Sequence, residues 1–427
     1  MQIYEKKLSS CVSFHANRDK RFKSASISFH YFMPYIPQLS SAFCLLPAVL
    51  KRGCKSHPTL ADIARKLETL FGSDILHFVR KRGSLLEMTF RLEAIDDAYI
   101  LNHPPIWEEA IHLLKDIIYR PLLLEAEFSD VILEQEKNSL MDSIQDIYNN
   151  KDAYALMRAA ESLYPETVYA ARLKGTPEMV AAVSKADLVR AYEHLIQHSS
   201  LHIYYSGSKT NQEMLSYLYD VPSYHSGEAP LLLPYIDTPV SSQPIYLSEV
   251  AEDAEESHVV VSYRIPIAKY TGMKASVFSV HNSILGYSPT SKLYQEVREK
   301  SGLCYSCSLI TNNLYGVFMV EAGVQPGREQ EAVDRIREQF DAMKKGDFSE
   351  EAFHIALESI STASRSLSTS PTQLENHYFA AMLSGNTYRP GLIRAASQQV
   401  THDDVRDAAA LLEYVGAFIL TGGEHDN

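Results

Sequence analysis

The feature that most constrains this chain is an internal duplication. Strand-like and helix-like stretches occur twice in the same order, so one supersecondary plan has to serve both halves. The first half runs from the alternating strand pattern SASISFHYFMPY (24–35) to the apolar helix SSAFCLLPAVLKRG. The amphipathic PTLADIARKLETLFGSD and the strands ILHFVRKRG and LLEMTFRLEAI follow. The second half answers with SHVVVSYRIPI (257–267), KASVFSVHNSILG, PTSKLYQEVREKSGL, CYSCSLITNN and YGVFMVEAGV. Pro58-Thr59 aligns with Pro289-Thr290, Gly72 with Gly302, and Glu93-Ala94 with Glu321-Ala322. Long amphipathic helices close each half, and SEEAFHIAL and THDDVRDAA open on Ser or Thr followed by acids, as good N-caps do.

Prolines 222, 230, 234, 239 and 244 mark a linker at 217–246, leaving domains at 1–216 and 247–427. At 427 residues the chain exceeds what one core usually serves, which suits two domains. Each is expected to be α+β: an antiparallel-rich sheet with helices packed on one face. A formal charge of −13 argues against nucleic acid, and the longest apolar run, AFCLLPAVL, is too short to cross a membrane. The basic residues near the start (Lys6, Lys7, Arg18, Lys20, Arg21, Lys23) are interrupted by Glu5 and Asp19, unlike a transit peptide. Five cysteines are an odd number. Cys304-x-x-Cys307 lies in a strand pattern where positions three apart face opposite ways, and no second pair completes a zinc site. Free thiols in a reducing compartment, the cytosol, are expected.

One stretch asks for more than a fold. In YQEVREKSGLCYSCSL (294–309), Lys300 and Gly302 suit a helix C-terminus, which leaves Arg298 and Tyr305 without a role. This signature, its place at the helix-to-strand turn of the second repeat, and the duplication resemble the pitrilysin/insulinase family of zinc peptidases. The closest type is the short, two-chain members similar to mitochondrial processing peptidase. The resemblance implies that this chain is half of a clamshell whose two half-shells enclose an unfolded peptide. It implies zinc on an inverted His-x-x-Glu-His helix of one shell, and an Arg/Tyr pair supplied by the other. Arg298 would then bind substrate oxygen, and Tyr305 would direct a phenol at the carbonyl where charge develops.

The resemblance also places the metal helix on Cys44-Leu45-Leu46-Pro47-Ala48, where both histidines and the glutamate are missing, and the distal ligand on Ser143, seven residues after Glu136. Cys44, Pro47, Ala48 and Ser143 therefore read as degenerate metal-site positions, and no metal is expected on this chain. His194 and His198 form a His-x-x-Gln-His look-alike without a base, at the end of a helix. His30, His77 and His281 sit in apolar runs as core or edge residues, and the acid pairs Glu134/Glu136 and Glu255/Glu256 read as solvated faces. The leading expectation is a non-catalytic subunit of a heterodimeric zinc metallopeptidase. Its partner would be a homologous zinc-binding subunit with an intact His-x-x-Glu-His, its substrate a short or unfolded peptide such as a leader, and neither nucleic acid nor membrane would be involved. A structural or assembly subunit that has lost the chemistry is the alternative. An autonomous peptidase would need metal on Cys44 or on the His194/His198 pair.

Overall fold

A computed structural model describes residues 3–100, 104–222, 243–266, 275–288, 290–367, 370–385 and 390–423. Most of the expected linker, residues 223–242, and Pro289 lie outside them. The chain forms two compact units, each built on one sheet.

In the first unit, strands β1 (Tyr4–Lys7), β2 (Val12–Arg18), β3 (Ser24–Pro34), β4 (Asp74–Arg82), β5 (Leu85–Ile95) and β6 (Ser200–Gly207) lie in the order β1-β2-β6-β3-β5-β4. In the second, β7 (Ile245–Ala251), β8 (Ser257–Arg264), β9 (Cys304–Asn312), β10 (Val317–Val324) and β11 (Glu413–Gly422) lie in the order β7-β11-β8-β10-β9. Without β1 the two orders are the same plan. Even the single parallel contact recurs at the same place, β2 with β6 and β7 with β11. All other pairings are antiparallel. Duplication is thus visible in topology and not only in motif spacing.

Helix starts follow local chemistry. Thr59 with Asp62, Ser184 with Asp187 and Thr401 with Asp404 form reciprocal capping boxes, and Ser349 Oγ accepts the amide of Ala352. The main core of the first unit packs Ile27, Phe29, Phe43, Trp107, Ile111 and Leu114 between sheet and helices.

The opposite sheet faces are covered too, which helices on one face alone would not provide. Residues 145–171 belong with the second unit, and 375–385 with the first, so relative to a cut at 217–246 the halves exchange one helix each. In the second unit Ala155, Ala159 and Leu163 of the helix Lys151–Leu163 pack on Val260, Met319 and Phe418. In the first, Phe379 of the helix Pro371–Leu383 meets His30 with ring centroids 4.0 Å apart and Phe32 at 5.8 Å. Strands buried on both faces explain why SHVVVSYR shows a run of apolar residues where a half-exposed strand would alternate.

Candidate functional site

Two sets of residues could carry chemistry, one in each unit. In the second unit, Leu293–Glu299 winds as a π-helix rather than the regular helix its pattern suggests: Lys300 N donates to Gln295 O at 2.9 Å, and Ser301 Oγ donates to Glu296 O at 2.6 Å. Such widened turns recur at functional sites. Gly302 then takes a left-handed φ of +56°, as the C-terminal glycine of this signature should. Arg298 projects from the widened turn half-exposed, its guanidinium carbon 4.9 Å from the Tyr294 ring centre and its Nε 3.7 Å from Glu299 Oε1.

Tyr305 stands on the edge strand β9 and is 66% exposed. Its position comes from a β-bulge: Gly323 pairs with Ser306, whereas Val324 pairs with Cys304, so Tyr305 is the extra residue. Bulges re-aim side chains in this way. The bulge also overturns the expectation that Cys304 and Cys307 face apart. Both contact the same core, and both are free, Cys304 buried and Cys307 half-buried. A hydrogen bond from Cys307 holds the Cys304 thiol below its ordinary value, and the Arg298 charge adds to that effect. That bond and burial push Cys307 well up. The helical turn of Arg298 and the start of β9 are therefore electrostatic neighbours, although neither sequence element predicts the bulge.

In the first unit, the helix Ser40–Lys51 carries Pro47 inside it, buried against the core. Cys44 and Ala48 lie one turn apart and are only half-buried, on the stripe where two i, i+4 ligands would have to sit. That stripe is overlaid by backbone. Ser40 Oγ donates to Leu173 O, Ser41 Oγ donates to Lys174 O at 2.9 Å, and Cys44 Sγ donates to Leu173 O at 3.3 Å. Gly175, at φ +76°, permits the close approach, because a Cβ there would come within 2.3 Å of Ser41 Oγ. Lys174 Nζ donates to Ser143 Oγ at 2.9 Å and to Ser143 O at 3.3 Å.

The structure thus joins Cys44 and Ser143 through Lys174, a residue that sequence reasoning passed over. The donors do not suit zinc. Burial pushes the Cys44 thiol up to about 12, with the Lys174 charge only partly opposing, so the thiol keeps its proton near neutrality. Ala48 and Pro47 offer no donor, Ser143 is a poor ligand, no carboxylate stands where a base is needed, and an ammonium lies among the positions a cation would share.

Other expected features resolve differently. Glu136 is not on a solvated face: it is buried and accepts from Arg52 Nε. Glu134 does stay exposed and pairs with Lys137. His194 packs edge-on to Phe43 at 6.1 Å and lies 5.0 Å from His198 between ring centroids, and burial lowers its pKa. His281 is buried and pushed down to about 4 by burial. His30 is buried within an acid cluster described below.

A profile described as "Peptidase M16 inactive domain" matches residues 182–360. The probable inactive metalloprotease YmfF of Bacillus subtilis is 30% identical over 342 residues, which span 80% of this chain and 79% of that one. Among solved structures, a conserved protein from Enterococcus faecalis aligns over the whole of both chains with a TM-score of 0.89 at 18% identity. The peptidase M16 inactive domain from Pseudomonas fluorescens aligns with a TM-score of 0.79 at 16% identity, covering 100% of this chain and 99% of that one. At these identities the structures speak to the fold.

Proposed function

The chain belongs to the M16 family of peptidases, among its inactive members, and on that premise we propose that it is the non-catalytic subunit of a two-chain zinc peptidase. Its partner is a homologous subunit carrying an intact His-x-x-Glu-His. The observation that carries this reading is an asymmetry within one molecule. The metal-helix positions hold a protonated thiol, an alanine and a nearby lysine, while Arg298 and Tyr305 remain exposed on a widened turn and a bulge. A chain that had lost every part in the chemistry would have no need to present a guanidinium and a phenol together.

Arg298 binds a carbonyl or carboxylate oxygen of the peptide, and Tyr305 donates to the carbonyl oxygen as negative charge builds there during attack at the partner's zinc. The substrate is a short or unfolded peptide, with leader-peptide processing as one use, because an extended backbone can add to a sheet edge with little sequence preference. No described helix is long and apolar enough to cross a membrane, and the five unbridged cysteines support a reducing compartment, the cytosol. The catalytic zinc resides on the partner.

The test is reconstitution of this chain with the zinc-binding subunit and assay of peptide cleavage. Cleavage should need both chains. Tyr305→Phe should lower kcat by on the order of 10²-fold, Arg298→Ala should raise KM, and both variants should still form the complex on size exclusion. Full turnover by the double variant would mean that the chain serves assembly only. Cleavage by this chain alone would refute the division of labour.

A further inference from the structure

We propose that the second unit carries a structural divalent-metal site formed by Asp152, His258 and Glu321. This claim does not rest on the peptidase reading. Among the described residues, these are the side chains of His, Cys, Asp and Glu that gather three ligand atoms within 4.8 Å of one another. His258 is the second residue of β8, Glu321 lies on β10, and Asp152 is the second residue of the exchanged helix Lys151–Leu163. His258 and Glu321 are buried, whereas Asp152 reaches solvent and leaves room for water as a further ligand.

A bland reading has a protonated histidine docking the helix. The first unit shows what that looks like: His30 turns Nδ1 to Glu87 at 2.8 Å and Nε2 to Glu375 at 2.5 Å, one nitrogen for each carboxylate. His258 differs. Asp152 Oδ1 and Glu321 Oε1 both lie 3.0 Å from the same atom, Nδ1. One N–H cannot serve two carboxylates well. Two oxygens and one nitrogen around a common point do suit a cation. Bonds of 2.0–2.2 Å in tetrahedral geometry set ligand atoms about 3.4 Å apart, so the two 3.0 Å contacts of Nδ1 would open slightly to admit the ion.

The charge balance points the same way. Gly323 pairs with His258 across the sheet, and a Cβ there would come within 2.6 Å of Glu256 Oε2, so the glycine makes space for a third carboxylate. Among the described residues, no lysine or arginine forms an ion pair with Asp152, Glu256 or Glu321. The adjacent Lys151 is turned to Asp253 at 2.8 Å. Three carboxylates around one imidazole carry three negative charges; a proton on the ring offsets one of them and a divalent ion offsets two. One imidazole with carboxylates is a donor set for Zn²⁺ or a neighbouring transition ion. Bound there, the ion would tie the exchanged helix to β8 and β10, and Gly323 in turn pairs with Ser306 beside the Tyr305 bulge.

Metal-stripped full-length chain titrated calorimetrically with Zn²⁺ tests the site. One ion should bind per chain and raise the melting temperature. His258→Gln and Asp152→Asn should each weaken binding at least about 10-fold and abolish the thermal shift. Because Asp152 is exposed, Asp152→Asn should keep the circular dichroism of the parent, which separates loss of ligand from loss of fold. Cys44→Ser and His194→Ala should bind as the parent does. Absence of saturable binding, weak uptake of several ions, or binding untouched by Asp152→Asn would overturn the proposal.

Discussion

Glu375 is fully buried and belongs to a helix contributed by the other half of the chain. Its Oε1 lies 2.5 Å from His30 Nε2, and Arg91 Nη2 lies 2.8 Å from its Oε2, an ion-pair contact rather than an aligned hydrogen bond. Glu375→Ala therefore removes the anion between two buried cations. Breaking a buried pair from one side costs about 3–5 kcal/mol, because the remaining charge has lost its solvent and its partner. For a unit of about 200 residues each kcal/mol moves Tm by roughly 2–4 °C, so the first unit should melt about 6–20 °C lower. Differential scanning calorimetry reads this directly. The triple variant Glu375→Ala/His30→Leu/Arg91→Met should recover most of the loss, since apolar replacement of a whole buried cluster is often neutral. Glu87 would still hold Arg82, whose Nε lies 2.7 Å from its Oε2. A loss below about 1 kcal/mol for the single variant, or a triple variant weaker than the single, would refute the claim that charge pairing seats this helix.

The same cluster sets a pH dependence. Burial works against a charged His30, but hydrogen bonds to Glu375 and Glu87 outweigh it and raise the pKa above its ordinary value near 6.5. A raised pKa stabilises below the unfolded value and loses that contribution as pH climbs through the folded one. Glu87 is buried, yet His30 and Arg82 bring it down to about 2, so its contribution is present above about 4.5 and fades as pH falls toward 2. Urea midpoints of the first unit should therefore be highest between about pH 4.5 and 6.5 and decline on either side, with His30→Leu removing the alkaline decline. A parent with an unchanged midpoint from pH 6 to 9 would count against it. Gly175→Ala strains a left-handed backbone and drives a Cβ toward Ser41 Oγ, and should cost about 1–3 kcal/mol by urea denaturation. A neutral effect would show that the 172–175 segment is not held tightly over the helix.

How much of this was readable beforehand depends on whether local pattern or long-range pairing decides a feature. The capped helices and the central strands announce themselves through Thr59, Ser184 and Thr401 or through runs such as ISFHYF, because short-range chemistry fixes them. The exchanged helices do not. TQLENHYFAAML carries Glu375 toward a histidine 345 residues away, and no local pattern shows that an acid in a helix will be buried. Glu136 misleads for the same reason, since its Arg52 partner lies 84 residues back. The bulge at Tyr305 is equally silent, because one unpaired residue is a property of the register between β9 and β10. Arg298 and Tyr305 could be singled out only through a motif, and Lys174 not at all, since a lysine in a loop carries no sign of the serine it will meet.

At the expected metal helix of the first unit, polar groups are matched by a neighbouring segment. Buried polar groups without partners are costly. Here the helix stripe is covered by the segment 172–175, whose carbonyls accept from Ser40, Ser41 and Cys44 and whose lysine binds Ser143. The interactions are mutually dependent: the Cys44 thiol must stay protonated to donate to Leu173 O, and Gly175 must lack a side chain for the segment to lie so close. Restoring histidines at 44 and 48 would therefore confront a lysine and a fitted backbone segment, not a vacant site. The packing of the unit thus opposes a cation on this helix, while Arg298 and Tyr305 stand exposed.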